Sequence, residues 1–260
     1  MKVAVALALL AAALAASVST PVLQPAGATT ARRTPPPLRL QERCVTQVER
    51  RRVVRSSASD RTRLIGLVLG AGPRGVVLAH QGGRPGNLCN WLPYARTLAA
   101  AGYRVLLFDH RGRGSSGAAA RSQNLQRVDL DVIAATALLR KRDVHSVVLA
   151  GASLGGSAVL VAATRIQPPV QGVISLSAPE SFVRLDGREA AAKLAVPVLY
   201  VAAEDDTGGQ FATDARTLFD ATASPDKRIE IVPGYLHGAP MLELAPVRTL
   251  VDSWLASHSN

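Results

Sequence analysis

From residue 53 onward the chain alternates short, continuously apolar runs with longer segments whose apolar residues recur at helical spacing. Val53–Arg55, Leu64–Leu69, Val76–His80, Tyr103–Phe108, Ser146–Ala150, Gly172–Leu176, Val198–Ala203 and Arg228–Val232 read as strands. Asn90–Ala101, Leu125–Arg140, Leu154–Arg165, Phe211–Ala223 and Met241–Ala256 read as helices, with Gly102 closing the first as a C-cap. Strands apolar at every position are buried on both faces, which predicts a mostly parallel sheet with helices on each side. The first two strands have no helix between them, so they should form an antiparallel edge.

The first 28 residues break this pattern. Lys2 precedes an apolar stretch from Val3 to Ala16, shorter than the ~20 residues of a membrane span and typical of a signal-peptide core. Ala26-Gly27-Ala28 suits cleavage after Ala28; an uncleaved membrane anchor is the competing reading. Residues 29–43 include Thr34-Pro35-Pro36-Pro37 and read as a Pro-rich disordered linker. Residues 44–260 then form one domain. Export into an oxidising compartment allows Cys44 and Cys89 to pair, although two separately buried thiols fit the sequence as well.

The formal charge of +11 adds little about chemistry. Arg50, Arg51, Arg52, Arg55, Arg61 and Arg63 cluster early in the chain, but no nucleic-acid-binding motif accompanies them, so a solvated basic face is expected.

The chemistry-bearing residues stand where strands end, the place where sites form in parallel sheets. Gly151-Ala152-Ser153-Leu154-Gly155-Gly156 links a strand directly to a helix. A nucleophile on such a sharp turn needs small neighbours, and Ala152, Gly155 and Gly156 are small. His237 lies in Pro233-Gly234-Tyr235-Leu236-His237-Gly238, after the last strand. Of the five histidines, His237 alone follows the serine in chain order at a strand end. His80 and His110 precede the serine, His145 begins a strand and His258 is near the C-terminus. Glu204, Asp205 and Asp206 follow the strand Val198–Ala203, and any of the three can supply a carboxylate to hold an imidazole. His80-Gln81-Gly82-Gly83 follows the third strand. Its glycines let backbone approach a substrate oxygen, which makes the Gly82 N–H a candidate oxyanion donor beside the Leu154 N–H.

These segments together resemble the α/β-hydrolase superfamily: HQGG after the third strand, DHRGRGSSG after the fourth, GASLGG at the turn, AAEDD after a late strand and GYLHG before the last helix. The resemblance covers Val53 to the C-terminus. It implies an α/β-hydrolase fold with a mostly parallel sheet of about eight strands and helices on both faces. It also implies Ser153 as nucleophile, Asp206 as acid and His237 as base, and a structural role for Asp109 and Arg111. Ala203-Glu204-Asp205-Asp206 is similar to the Gly-x-x-Asp run common in the family, with Ala in place of Gly. The surroundings of His237 are similar to those in dienelactone-hydrolase-like and small peptidase-like members, yet this chain carries Ser where dienelactone hydrolases use Cys. Gln81 departs from the His-Gly of many members and should intrude on or polarise the pocket. Few residues separate Ala178 from Val196, so a minimal cap is expected, with Glu180–Leu194 as one short helix.

The expectation is an exported serine hydrolase, a carboxylesterase acting on small esters or short acyl substrates. No metal or organic cofactor, nucleic acid or stable membrane insertion after signal removal is implied. A serine-aminopeptidase-like peptidase or an acyltransferase would use the same triad, and a non-catalytic binding protein would keep only the fold.

Overall fold

The computed structural model describes residues 40, 42–83 and 86–259. The expected signal segment 1–28, and residues 29–39 and 41 of the expected linker, lie outside the described residues. Two residues of that linker are packed: Leu40 and Glu42 are buried, and Glu42 accepts the Ser115 hydroxyl at 2.8 Å. A disulfide then joins Cys44 to Cys89. Cross-linking two points 45 residues apart restricts the unfolded chain and so stabilises the fold.

A one-turn helix α1 (Gln47–Arg50) begins on a capping box formed by Thr46 and Glu49. The strands β1 (Val53–Ser57), β2 (Arg63–Leu69) and β3 (Arg74–Ala79) follow, then α2 (Leu92–Ala100), β4 (Tyr103–Phe108), α3 (Val128–Arg140) and β5 (Ser146–Ala152). After α4 (Leu154–Ala163) and β6 (Gly172–Leu176) comes a small hairpin, β7 (Ser181–Phe182) and β8 (Leu185–Asp186). Helix α5 (Gly187–Ala191), β9 (Val198–Ala203), α6 (Gln210–Ala221), β10 (Lys227–Val232) and α7 (Ala245–His258) complete the chain.

Eight strands form one sheet in the order β1-β2-β4-β3-β5-β6-β9-β10. β1 pairs with β2 antiparallel, and β2 with β4 antiparallel; the pairs from β4 through β10 are parallel. The antiparallel edge and the parallel remainder are as the apolar runs predict. Two buried clusters flank the sheet. One gathers Trp91, Leu92 and Leu98 from the α2 side with Val251, Trp254 and Leu255 from α7. The other gathers Val132, Leu139, Val159, Leu160 and Leu218 from α3, α4 and α6.

The register sets the site. Ala79 pairs with Gly151, so the loops after β3 and β5 leave the sheet together. Ala203 pairs with Val232, so the loops after β9 and β10 do the same.

The sequence reading differs from the structure at several elements; the helix expected from Leu125, for one, starts at Val128 after a 3₁₀ turn over Ser122–Asn124. Glu180–Leu194 is not one helix. The hairpin comes first, with Val183 at its tip in the left-handed region (φ 53°), and only Gly187–Ala191 is helical, capped by Asp186. Two-residue strands are too short to show a period, which is why the pattern hid them. The helix expected from Asn90 starts at Leu92, because Asn87 caps a separate 3₁₀ turn over Leu88–Asn90. The final helix starts at Ala245 rather than Met241, after a 3₁₀ turn over Ala239–Glu243. The cap is nonetheless minimal, consisting of the hairpin and α5.

Candidate active site

Ser153 sits at φ 51°, ψ −119°, between the end of β5 and the start of α4. A non-glycine residue in this region is strained, and such strain persists only where the surroundings impose it. The surroundings are tight. A Cβ on Gly151 would lie 2.1 Å from the Gly155 carbonyl oxygen, and one on Gly156 would lie 2.8 Å from the Ala178 Cβ. The spacing of small residues around Ser153 is therefore a steric requirement of this turn. The Ser153 N–H donates to the Leu176 carbonyl at 2.8 Å, pinning the turn to β6.

The loop after β9 places Asp206, buried to 2% exposure, against the loop after β10. The Nδ1–H of His237 donates to Asp206 Oδ2 at 2.7 Å. Asp205 is exposed, and its N–H donates to the Gly234 carbonyl at 2.9 Å. Geometry thus assigns the imidazole partner to Asp206 among the three neighbouring acids. A turn through Thr207, Gly208 and Gly209, all at positive φ, follows directly on Asp206, the one of the three acids that is buried. On the other side of the imidazole, the Phe211 ring lies 4.5 Å away between centroids.

The His237 loop has supports that the sequence did not reveal. Buried Ser177 accepts the Gly238 N–H at 3.1 Å. Gln81 Oε1 accepts the Ala239 N–H at 3.4 Å. This corrects the expectation for Gln81: its side chain turns toward the His237 loop and does not line the cleft. Gly238 allows the approach, since a Cβ there would already stand 3.0 Å from Gln81 Oε1.

The structure brings Gly82 and Leu154 together: a Cβ on Gly82 would stand 3.4 Å from the Leu154 Cβ. The Leu154 N–H is the first in α4, where helical geometry leaves donors without an intrahelical acceptor. Among the described residues, neither amide is paired with an acceptor in a loop or turn. The root of the Gly82 loop is fixed from below. The Trp91 indole N–H donates to the Ala79 carbonyl at 2.9 Å. His80 Nε2 accepts the His110 N–H at 3.0 Å, which leaves the proton on Nδ1 to donate to the Gln81 carbonyl at 2.7 Å. His110 Nε2 faces the His80 carbonyl at 2.7 Å. Burial depresses the basicity of both rings, His80 down to about 4 and His110 well below the ordinary histidine value. Both therefore stay neutral at physiological pH and act as fixed hydrogen-bonding struts.

Asp109 and Arg111 are structural, as the resemblance implied. Asp109 accepts the N–H groups of Leu88 at 2.9 Å and Ser115 at 2.8 Å. Arg111 pairs with Asp131 at 2.7 Å and Asp60 at 2.8 Å, both in buried surroundings. Among the described residues, no group of three or more His, Cys, Asp or Glu is placed to hold a metal ion, and no helix is long and apolar enough to cross a membrane.

Ser153 and His237 line one cleft of about 530 Å³. Gly82, Gly83 and Leu154 line it with the serine; Phe182, Phe211 and Pro179 supply apolar lining, and Arg113, Gln126, Ser181 and Gln210 polar lining. A serine hydroxyl, an imidazole held by a carboxylate and two amides without a loop partner around one cavity are the groups that acyl transfer needs.

The sheet order, the strained strand-to-helix turn and the loop positions make the chain an α/β-hydrolase-fold protein. A profile of the alpha/beta hydrolase fold matches residues 76–196. Among solved structures, an esterase of Pyrococcus furiosus is similar with a TM-score of 0.65 at 15% identity, over 80% of this chain and 91% of its own. An esterase of Rhodococcus sp. is similar with a TM-score of 0.63 at 18% identity, over 80% of this chain and 99% of its own. A monoacylglycerol lipase of Paleococcus ferrophilus gives 0.61 at 19% identity, over 75% and 99%. No curated protein matches the chain in sequence.

Proposed function

We propose that the protein is an exported serine hydrolase that cleaves carboxylic esters through an acyl-enzyme. The observation that carries this reading is the Asp206–His237 hydrogen bond of 2.7 Å in the loops facing the strained Ser153 turn, with His237 and Ser153 on one cleft. His237 takes the Ser153 hydroxyl proton as the oxygen attacks the ester carbonyl. The tetrahedral oxyanion is held by the N–H groups of Leu154 and Gly82. Collapse expels the alcohol, which receives its proton from His237. Water, deprotonated by the same imidazole, then attacks the acyl-serine and releases the acid. Asp206 holds the imidazole in the tautomer with Nδ1–H and stabilises its cationic form.

Ester cleavage is favoured over peptidase or acyltransferase chemistry by the open, small-capped cleft and by the likeness to esterases and a monoacylglycerol lipase. The disulfide Cys44–Cys89 supports export, because such bonds persist in oxidising compartments. The test is hydrolysis of p-nitrophenyl esters of increasing acyl length by the chain recovered from an exporting host, beside Ser153→Ala. Turnover that disappears in the variant supports the reading. Absence of turnover in the folded unsubstituted protein, with cleavage of amino-acid anilides instead, would replace it with the peptidase reading.

A further inference from the structure

Among the described residues, the cleft's polar wall holds a single ionisable cation besides His237. Arg113 lies in the tight loop after β4, whose backbone is closed by Gly112 N–H to Gly117 O at 2.8 Å, Arg113 N–H to His110 O at 3.0 Å and Ser116 N–H to Arg113 O at 3.0 Å. Buried Asp109 and Arg111 anchor the same loop. Arg113 is thus carried by a fixed piece of backbone onto the wall of the cavity that contains Ser153.

Its electrostatic situation differs from that of its neighbour two residues earlier. Arg111 is saturated by Asp60, Asp131 and the Asn124 carbonyl. Arg113 is half-buried, yet it takes part in none of the ion pairs and its guanidinium makes no hydrogen bond among the described residues. Every aspartate and glutamate of the chain lies among those residues, so no side-chain carboxylate elsewhere is left to neutralise it. No carboxylate lines the cleft either. Behind the loop His80 and His110 are neutral, and the field of Arg113 is one of the influences that keeps them so; the Glu42 carboxyl is held by Ser115 and Asp109 and forms no ion pair with Arg113. A partly desolvated guanidinium presents a rigid fork of donors that matches a carboxylate in two parallel hydrogen bonds. Gln126 and Ser181 add polar lining to the same cavity, whereas Phe182, Phe211 and Leu154 give it apolar wall.

We propose that Arg113 forms an anion subsite of the Ser153 cleft, and that the esters this protein hydrolyses carry a carboxylate a few bonds from the scissile carbonyl. The proposal rests on the esterase reading above and narrows its substrate class. The carboxylate belongs either to the acyl part, as in a half-ester of a short dicarboxylic acid, or to the alcohol part. The apolar wall covers the methylenes or ring between the two ends. The cavity of about 530 Å³ suits a compact molecule of this kind.

The experiment compares charged and neutral partners on the full chain. On the acyl side, mono-p-nitrophenyl glutarate is set against its methyl-capped diester, with p-nitrophenolate release as the readout. On the alcohol side, 4-acetoxybenzoate is set against phenyl acetate. The expected result is a kcat/KM ratio, charged over neutral, of about tenfold or more on one of the two sides. Arg113→Met should lower that ratio at least tenfold, mainly through KM, and Arg113→Lys should retain part of it. A ratio near one on both sides, or a ratio that Arg113→Met leaves unchanged, overturns the proposal; the second outcome assigns the preference to the overall positive charge. Circular dichroism confirms that the variants fold. If none of these esters is turned over, the esterase reading fails by itself, and the subsite is then read by calorimetric titration of Ser153→Ala with glutarate. Binding that disappears on adding Arg113→Met upholds the subsite. Binding indifferent to Arg113, or none, overturns it.

Discussion

A Cβ on Gly155 would lie 2.2 Å from the carbonyl oxygen of Ala79 and 2.6 Å from that of His80. The first turn of α4 is therefore seated directly on the end of β3, and this contact sets the spacing between Ser153 and the Gly82 loop. Gly155→Ala should force the two apart. Overpacking of this kind costs about 1–3 kcal/mol, so Tm should fall by several degrees. Ester kcat/KM should fall about 100-fold, because a displacement near 1 Å is enough to spoil attack geometry. Thermal melts and p-nitrophenyl butyrate kinetics on the same preparation check both.

The strain at Ser153 makes a second prediction, about stability alone. At ordinary positions glycine is less stabilising than alanine by roughly 0.5–1 kcal/mol. At φ 51° the order should reverse, since only glycine is at ease there. Ser153→Gly should melt above Ser153→Ala, with both devoid of ester hydrolysis. A lower Tm for the glycine variant would count against strain at the turn.

Much of this site was legible in the chain because its parts fall where apolar runs stop. Ser153 and the three acids follow strands whose unbroken hydrophobicity marks them as buried and parallel, and His237 follows the edge strand β10, where Ile229, Ile231 and Val232 are interrupted by Glu230. The small residues around Ser153 exclude side chains for reasons of contact, and so they showed as a pattern. Residues that act through a turn or a distant partner left no such mark. Asp206 is distinguished from Asp205 only by the positive-φ turn through Thr207–Gly209. Ser177 and Gln81 hold the His237 loop through single hydrogen bonds across the sheet. The buried pair His80 and His110, 3.8 Å apart between ring centroids, looked like strand-end polar residues. Glu42 sat in a stretch whose composition reads as linker, and its partner Ser115 is 73 residues away.

Asp206→Asn removes the charge that stabilises the imidazolium and presents the wrong hydrogen-bonding face to Nδ1. The fold should survive, because the amide occupies the same volume. In a serine triad such a change lowers kcat by about 10⁴, and a loss of 10³ or more is expected here, with KM changed little. Asp205→Asn is the control and should retain ordinary turnover.

The Glu42–Asp109 contact predicts a pH dependence of stability. Burial and the neighbouring Glu42 carboxyl push Asp109 up to about 8, so the folded protein holds a proton there that the unfolded chain releases in the ordinary carboxylate range. Folding is therefore favoured at low pH by this pair, and the benefit is lost as pH rises toward 8. Asp131, raised to about 6 by burial, acts in the same direction over a lower range. His80 and His110 act oppositely: their depressed basicity lets stability rise with pH up to the ordinary histidine value near 6.5. Above that point Asp109 is the one of these groups still titrating. Tm should fall between pH 6.5 and 8, and Glu42→Gln, which removes the second carboxyl, should flatten that fall. An unchanged slope in the variant would show that the pair does not share a proton.

The central claim is that Ser153 is a nucleophile activated by His237, and covalent trapping tests it most directly. The full chain is treated with a fluorophosphonate and analysed by intact mass and peptide mapping. The account predicts one adduct, on Ser153, absent in Ser153→Ala and formed far more slowly in His237→Ala. A folded protein that takes up no label, or takes it at another residue with Ser153 untouched, would contradict it.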